Sequence, residues 1–356
     1  MYKAIIRPIL FKADPEKIHG FVSSSLSFFG KFALTRRLLK SLYGYSHPML
    51  RTEVAGMKFD NPMGIAAGFD KECRLIEIMP SLGFGHIEVG AITRNEQPGN
   101  EKPRIFRLPK DLALINRMGF NNMGADRAAG KLRAVKHKKL IVGLNIGKSK
   151  DTSLEEAYLD YLYTYEKLYD FADFMTINVS SPNTQGLRKL QDKSSLLKII
   201  KTLQKANRKN KPLFVKVSPD LTWEELDEFV DVCMQTKISG VIAVNGTVSR
   251  KGLRTKINEA GGLSGRPLTR TATEFIRHIY KKTNGKLPII GVGGVFTAED
   301  AYEKIKAGAS LVQVYTGFIY EGPMMAKNIN RGIVGFLKRD GFRNVREAVG
   351  IDVSTE

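Results

Sequence analysis

Eight short apolar runs, each followed by a stretch with helical character, constrain the fold of this chain more than any other feature. The runs are rich in β-branched residues and nearly continuous in apolar character, which is typical of strands buried on both faces. They are Met63–Ala67, His86–Ile92, Leu140–Ile146, Phe174–Val179, Leu213–Val217, Gly240–Asn245, Pro288–Val292 and Ser310–Tyr315. Eight such units predict an α/β fold, a closed (β/α)8 TIM barrel. The main alternative is an open doubly wound sheet, but no spaced GxGxxG turn follows the first run.

The first 50 residues have a different pattern. Asp14-Pro15-Glu16 predicts a helix start, with Asp as the N-cap and Pro in the first turn. Apolar residues then recur at helical spacing, and Gly44 is expected to end a second helix. The stripes consist of Ile18, Phe21, Val22, Leu26, Phe29 and Phe32, then Leu34, Leu38, Leu39 and Leu42. We predict a short N-terminal α-helical extension of two amphipathic helices, which lie in a membrane interface or pack as a hairpin on the barrel.

The charge and composition restrict the partners. With 56 Lys and Arg against 36 Asp and Glu, the net charge is +20, which favours an anionic partner such as acidic lipid or a phosphorylated cofactor. A solvated basic surface explains the charge equally well. No nucleic-acid-binding signature is present, and the longest uncharged stretch near the start, Ile18–Gly30, is too short to span a bilayer. Two distant cysteines and five scattered histidines predict neither a disulfide framework nor a metal site.

Polar residues follow the predicted strands, where the active site of such a barrel lies. Lys216 interrupts the apolar run Phe-Val-Lys-Val, so its side chain is expected to face an anion at the barrel mouth or to pair with a neighbouring carboxylate. Gly293-Gly294 and Thr316-Gly317 follow the last two strands, as in barrels that bind phosphate there, although ordinary turns are the alternative. Five asparagines suited to a flat, imide-bearing ring map to the same end: Asn116, Asn145, Asn178, Asn183 and Asn245.

Six sequence stretches closely resemble dihydroorotate dehydrogenases, and the similarity runs from about Pro8 to Leu337. They are NPMGIAAGFDK (61–71), NRMGFNNMG (116–124), NVSSPNTQGLR (178–188), GGLSGRPL (261–268), IIGVGGV (289–295) and VQVYTG (312–317). The resemblance implies oxidation of dihydroorotate to orotate with one flavin mononucleotide (FMN) per chain, in de novo pyrimidine biosynthesis. It implies no metal.

The resemblance also implies roles for individual residues. Ser181 matches the catalytic base. The residues that match the substrate site are Lys71, Asn116, Arg117, Met118, Gly119, Phe120, Asn178, Asn183 and Asn245. Those that match FMN contacts are Ala66, Ala67, Gly68, Gly90, Asn145, Asn178, Lys216, Ser264, Gly265, Gly293, Tyr315 and Thr316. The segment Pro182–Lys189, with Gly186, is expected to act as a lid, and Thr184 as a proton relay from Ser181.

Ser181 decides the subclass that the resemblance implies. Soluble members carry cysteine at this position, whereas the quinone-dependent (class 2) members carry serine and an N-terminal helical pair. We therefore expect residues 1–45 to form a membrane and quinone-tunnel segment and residues 46–356 the FMN-binding catalytic domain. His19, Arg107 and Tyr315 match the quinone path. The protein is expected to be a monomer at the cytoplasmic face of the cytoplasmic membrane, bound peripherally, with no nucleic-acid partner.

Three positions depart from the usual pattern of the family: Ala91, Val244 and Gly246 stand where hydroxyl residues are common. Backbone contacts would survive all three changes.

Two other classes of function remain open on the residues alone. One is a non-redox barrel enzyme, an isomerase or lyase acting on a phosphorylated metabolite. The other is a basic protein that binds lipid or nucleic acid without catalysis, which explains the charge but not the polar residues gathered at one end of the barrel.

Overall fold

Eight parallel strands close into a barrel in the computed structural model, which describes residues 1–353. The strands are β1 Thr52–Val54, β2 Met57–Phe59, β3 Met63–Asp70, β4 His86–Ile92, β5 Ile105–Leu108, β6 Ala113–Asn116, β7 Ile141–Ile146, β8 Phe174–Asn178, β9 Leu213–Val217, β10 Gly240–Ala243, β11 Gly262–Gly265, β12 Ile289–Val292 and β13 Leu311–Val314. Around the barrel the order is β3, β4, β7, β8, β9, β10, β12 and β13, which closes on β3. The predicted (β/α)8 barrel is confirmed: seven of the eight apolar runs contain a barrel strand, and the first, Met63–Ala67, lies within the longer strand β3.

Helices surround the barrel and precede it. They are α1 Arg7–Leu10, α2 Pro15–Gly30, α3 Ala33–Tyr43, α4 Gly124–Arg133, α5 Ala157–Leu168, α6 Lys193–Ala206, α7 Trp223–Gln235, α8 Thr269–Thr283, α9 Ala298–Lys306, α10 Thr316–Glu321 and α11 Met325–Arg339. The first barrel strand is followed only by a short helical turn, Met79–Leu82. Helix α3 packs against that turn, so the N-terminal extension covers this side of the barrel.

A β-hairpin closes the amino-terminal end of the barrel. Strands β1 and β2 pair antiparallel, and their buried side chains join a cluster with Phe174 and Phe214 from the strands. Phe59 meets His86 edge-on, and His86 lies so close to Gly64 that a Cβ there would be 2.2 Å from its ring. Burial lowers the pKa of His86 to about 3, so the ring stays neutral. With this end filled, access to the barrel is from the carboxyl ends of the strands.

A three-stranded antiparallel sheet, which the sequence did not predict, stands above that open end. Its order is β11, β6, β5, and the pairing sets Asn116 opposite Gly262 and Leu114 opposite Ser264. Each strand has only four residues, too few to show the alternation by which strands are recognised. The sheet carries predicted site residues on β6 and β11, and its outer strand β5 contacts α2 of the extension.

The N-terminal extension forms the two predicted helices. The Asp14 carboxylate accepts a hydrogen bond from the backbone N–H of Lys17 at 2.8 Å, as an N-cap should, and α3 ends at Gly44. Further helical turns cover Tyr2–Leu10, which was not predicted. The large apolar side chains that these helices leave exposed are Ile5, Ile6, Ile9, Phe21, Phe28, Phe29, Phe32, Leu34, Leu38 and Leu42. Between residues 1 and 353, no helix is both long and apolar enough to cross a membrane.

Candidate active site

A cleft opens at the carboxyl ends of the barrel strands, where the sequence predicted the site. It brings together most of the predicted residues from six barrel strands, the three-stranded sheet and the loops that follow them. The predicted residues that line it are Ala66, Ala67, Gly68, Lys71, Asn116, Met118, Gly119, Phe120, Asn178, Ser181, Asn183, Lys216, Asn245, Ser264, Gly265, Gly293, Tyr315 and Thr316. Ala91, Val244 and Gly246, the three departures from the family pattern, line it too.

Five predicted residues lie outside the lining of the cleft. The Arg117 side chain turns outward, where it pairs with Glu259 and lies over the ring of Phe106. Gly90 and Asn145 lie behind the cleft wall, in contact with each other: a Cβ on Gly90 (φ +120°) would be 2.4 Å from the Asn145 carbonyl oxygen. His19 and Arg107 lie between the extension and the barrel.

Hydrogen bonds join the predicted asparagines. Asn178 donates to Asn145 at 2.9 Å, and Asn245 donates to the Ser180 hydroxyl at 3.0 Å and to the Asn178 amide oxygen at 3.5 Å. A second pair forms where Asn183 donates to the Asn116 amide oxygen at 3.1 Å. Because each amide is held by a neighbour, the remaining donors and acceptors are fixed in direction, as recognition of a rigid polar ring requires.

Ser181 lies on the loop after β8, with its hydroxyl oxygen accepting a hydrogen bond from the Asn183 backbone N–H at 3.3 Å. Its side chain is buried but lines the cleft. The predicted lid, Pro182–Lys189, continues this loop and turns at Gly186, whose φ of +68° favours glycine. Arg188 anchors the segment by donating to the carbonyls of Ser180 and Gly246 and by pairing with Asp220 at 2.7 Å.

Lys216 pairs with a neighbouring carboxylate, one of the two arrangements that the sequence left open. Its side chain is 6 % exposed and lines the cleft, and its ammonium group lies 3.8 Å from the carboxylate of Glu88 on β4. Glu88 is fully buried and also accepts from Asn145 at 2.6 Å and from the Ala67 backbone N–H at 3.4 Å. A buried carboxylate with three partners balances the lysine charge and fixes two residues of the cleft lining, Lys216 and Ala67, together with Asn145 behind it.

Lys71 provides a second cation at the cleft. It follows β3 directly, and its ammonium group donates to the Asn121 amide oxygen at 3.0 Å. Burial, with the positive charge of Arg104 nearby, lowers the pKa of Lys71 to about 8. A buried ammonium group of this kind is poised to bind an anion, which would restore the lost solvation.

Turns rich in glycine form another wall of the cleft. Gly265, Gly293 and Gly294 all have positive φ, and the hydroxyl groups of Ser264 and Thr316 lie 2.8 Å apart. A Cβ on Gly294 would be 2.3 Å from the Thr269 hydroxyl, so only glycine brings this backbone so close to α8. Gln313 on β13 also lines the cleft, and neither its amide oxygen nor its amide nitrogen has a partner within the protein.

Aromatic and basic residues fill the boundary between the extension and the barrel. The His19 ring nitrogen Nε2 donates to the Phe69 carbonyl at 2.8 Å, and burial lowers the pKa of His19 to about 4. The Phe69 ring in turn meets Tyr315 edge-on at 5.8 Å. Arg107 donates to the carbonyls of Leu10 and Ala13. A path of packed side chains therefore runs from α2 to Tyr315 at the cleft wall.

Sequence reasoning missed three residues at this site: Glu88, Arg104 and Gln313. Glu88 and Gln313 are buried polar residues inside the apolar runs His86–Ile92 and Ser310–Tyr315, as Lys216 is in its own run. A lone polar residue inside a strand buried on both faces was the available signal. Arg104, in a loop, gave no such signal, because its carboxylate partner, Glu16, lies 88 residues away in the sequence.

Comparisons with known proteins agree with the resemblance in the sequence. The family model described as dihydroorotate dehydrogenase matches residues 49–337. A protein of Gloeobacter violaceus named dihydroorotate dehydrogenase (quinone) is 50% identical over 346 residues, 97% of this chain and 98% of that protein. A protein of the same name from Christiangramia forsetii is 52% identical over 338 residues, 94% of this chain and 99% of that protein.

Solved structures agree as well. The ligand-free dihydroorotate dehydrogenase of Eimeria tenella superimposes with a TM-score of 0.87 at 39% identity, covering 95% of this chain and 99% of that one. The complex of the Eimeria tenella enzyme with ferulenol gives a TM-score of 0.84 at 38% identity, covering 95% and 96%. These similarities extend over the N-terminal extension as well as the barrel.

Proposed function

The chain belongs to the quinone-dependent dihydroorotate dehydrogenases, oxidoreductases of pyrimidine biosynthesis, and we propose that it oxidises dihydroorotate to orotate with bound FMN and passes the electrons to a membrane quinone. The observation that carries the proposal is the cleft itself. It brings Ser181 and the Lys71 cation together with paired asparagines and with turns rich in glycine.

An anaerobic titration tests the proposed function. The purified holoenzyme is mixed with dihydroorotate while the visible flavin band is followed, and a short-chain quinone is then added. Bleaching followed by recovery is expected. Recovery with fumarate or NAD but not with quinone would contradict the quinone class. A colourless preparation that FMN does not reconstitute would favour the non-redox barrel enzyme instead.

The residues at the cleft fit FMN. The partnerless amide of Gln313 and the lysine at the end of β9 suit a polar ring edge, and the positive-φ turns offer backbone N–H groups to a phosphate. FMN, when bound, supplies the hydride acceptor at N5. The proposed FMN-binding residues are Ala66, Ala67, Gly68, Gly90, Asn145, Asn178, Lys216, Ser264, Gly265, Gly293, Tyr315 and Thr316. Gly90 and Asn145, which lie behind the cleft wall, would support the residues that line it.

Substrate binding is assigned to Lys71 and to the asparagines of the cleft. Lys71 would pair with the substrate carboxylate, and the asparagine amides would hold the ring amides in one orientation. The full proposed set is Lys71, Asn116, Arg117, Met118, Gly119, Phe120, Asn178, Asn183 and Asn245. Arg117, whose side chain points outward, would contribute through its backbone. The lid over Ser181, anchored by Arg188, would exclude water.

Ser181 is proposed as the general base. It would take the proton from C5 of dihydroorotate while the hydride leaves C6, so that proton and hydride depart from adjacent carbons. A free serine hydroxyl is a weak base and needs an acceptor for its own proton. Thr184 lies three residues after Ser181 on the same loop. Its hydroxyl is buried and has no partner within the protein, which supports its assignment to a proton relay.

Glu88→Gln is predicted to raise the midpoint potential of the bound flavin. The Glu88 carboxylate offsets the charge of Lys216, which would stabilise negative charge on the reduced ring. Without that carboxylate, the equilibrium between oxidised and reduced flavin should shift toward the reduced form by about tenfold or more. For a two-electron couple, a tenfold shift corresponds to about 30 mV. A spectroelectrochemical titration measures the shift. Glu53→Gln, on the exposed side of the hairpin, should leave the potential unchanged, and an unchanged or lower potential in Glu88→Gln would refute the role.

Substrate affinity is predicted to fall above pH 8. The charged form of Lys71 binds the carboxylate, and its pKa of about 8 means that half of the free enzyme has lost this charge at that pH. The Kd for orotate should then rise by about tenfold for each further pH unit. Flavin absorbance reports binding between pH 6.5 and 9.5. Lys71→Met should bind weakly with a flat profile, and a flat profile in the wild type would contradict the assignment.

Residues 1–45 are proposed as the membrane and quinone-tunnel segment, and residues 46–356 as the catalytic domain. The apolar face of α2 and α3 points away from the barrel, with Arg37 and Lys40 exposed beside it, as a peripheral helix in an anionic lipid surface requires. His19, Arg107 and Tyr315 would border the quinone path. We propose a monomer bound to the cytoplasmic face of the membrane. Sedimentation with anionic lipid vesicles tests the docking, and failure to co-sediment would refute it.

A further inference from the structure

Arg104 joins the N-terminal extension to the loops of the substrate wall. Its side chain is 6 % exposed. Two guanidinium nitrogens donate to the Glu16 carboxylate of α2, at 3.0 and 2.7 Å. The third donates to the carbonyls of Pro98 and Asn100, both at 2.7 Å. The buried guanidinium group binds both oxygens of the Glu16 carboxylate and two carbonyls of the loop at residues 98–100, so it has little freedom. The positions of α2 and of this loop therefore depend on each other.

Asn100 extends this connection into the cleft. Its side-chain amide donates to the carbonyl of Arg117 at 2.9 Å and to that of Asn183 at 3.1 Å, while its backbone N–H donates to Met118 at 3.0 Å. Met118 and Asn183 both line the cleft. One chain of hydrogen bonds therefore runs from the first turn of α2 to both loops that would hold the substrate.

The Glu16–Arg104 pair also affects the charge of Lys71 at the cleft. The groups that act on Lys71 are Arg104, which lowers its pKa, and Glu16 and Glu72, which raise it, while His19 stays neutral near pH 7. Without the Glu16 carboxylate, Arg104 would be a buried cation close to Lys71 with no counter-charge. Glu16 therefore supports both the position of the substrate loops and the charge of the lysine beside them.

We propose that Glu16 is a positioning residue through which the N-terminal extension sets the affinity of the cleft for dihydroorotate and orotate. The inference rests on the proposed function and deepens it, because it gives the extension a part in the substrate half of the reaction as well as the quinone half. By linkage, anything that displaces the first turn of α2 weakens substrate binding, and bound substrate holds α2 in place.

Orotate titrations of the full-length holoenzyme test this inference. The variants are Glu16→Gln, Glu16→Asp, Arg104→Gln and the double Glu16→Gln/Arg104→Gln, with orotate binding followed in the flavin band. At pH 7.5 Glu16→Gln should bind orotate on the order of tenfold more weakly, as expected for hydrogen bonds to a charged group. Its loss of binding at alkaline pH should begin at a lower pH than in the wild type. The double variant should be no weaker than Arg104→Gln alone.

Two further variants distinguish the positioning role of Glu16 from a general weakening of the contacts between the extension and the barrel. Glu16→Asp shortens the side chain but keeps its charge, so affinity should fall while the alkaline limb stays in place. Glu321→Gln removes the ion pair between Lys3 and the barrel, another link to the extension that does not reach the cleft, and should leave orotate binding unchanged. Equal affinities in the wild type and Glu16→Gln, or an equal loss in Glu321→Gln, would overturn the inference. A wild type that binds no orotate would overturn the proposed function instead.

Discussion

Replacing Ser181 by alanine is expected to slow reduction of the bound flavin by dihydroorotate by roughly 10²–10⁴-fold, the usual contribution of a general base. The hydroxyl lies at the cleft on the loop that leads into the proposed lid, and no other group of the described cleft offers the same position. Orotate should still bind, because the lysine and amides that would hold it are unchanged. Anaerobic stopped-flow absorbance measures the rate of bleaching directly.

Two controls make the Ser181 result specific. Ser181→Ala should retain its FMN and be reduced by dithionite at the wild-type rate, which would show that the cofactor is intact. Ser181→Cys should keep part of the activity with an altered pH profile, since a thiol ionises near pH 8.5 and a hydroxyl does not. Near-normal bleaching in the alanine variant would remove Ser181 as the base, and an unaltered profile in the cysteine variant would count against it.

Deletion of residues 1–45 is expected to abolish fast turnover with quinone, by on the order of 100-fold or more, while dihydroorotate at saturating concentration still bleaches the flavin. The proposed cofactor residues all lie between Ala66 and Thr316, so the barrel should keep FMN. Without α2 and its contacts to Phe69, nothing positions the quinone beside the flavin, and loss of positioning alone has effects of this size. Steady-state assays with a short-chain quinone measure the loss.

A full-length variant separates the quinone path from membrane docking. Leu34→Ser/Leu38→Ser changes only exposed side chains of α3, so it should weaken vesicle binding but retain turnover with a water-soluble quinone. Retained quinone turnover in the deletion would refute the tunnel. If Glu16 acts as inferred, the deletion should also need more dihydroorotate for half-maximal bleaching, which the double substitution at the exposed face should not.

The barrel and the place of its site followed from the sequence because both depend on local patterns. A strand buried on both faces must be apolar along its whole length, so all eight barrel strands were recognisable. The rule that chemistry lies at the carboxyl ends then located Lys71, Ser181 and Lys216 at one end of the barrel. The N-cap of α2 was equally local, since Asp14 bonds to a backbone group three residues away.

The remaining features depend on contacts between distant residues. Glu16 and Arg104 are 88 residues apart, and neither residue alone indicates the other. Strand β11 pairs with β6 across more than 140 residues, so the three-stranded sheet has no continuous signature. Gly90 and Asn145 matched a family pattern, but a pattern does not say whether a residue faces the cleft or lies behind its wall. Only the packing of β4 against β7 decides that.

The hairpin that fills the amino-terminal end of the barrel offers a site for attaching a label away from the cleft. Its turn, Ala55-Gly56, has positive φ at both residues and lies at the end opposite the cleft, on a loop tip of the kind that tolerates insertion. A biotin or fluorescent label attached there would leave the lid and the apolar helices unobstructed. The enzyme would then be tethered to a sensor chip or electrode in one orientation, with the exposed apolar side chains of α2 and α3 presented to an added lipid layer.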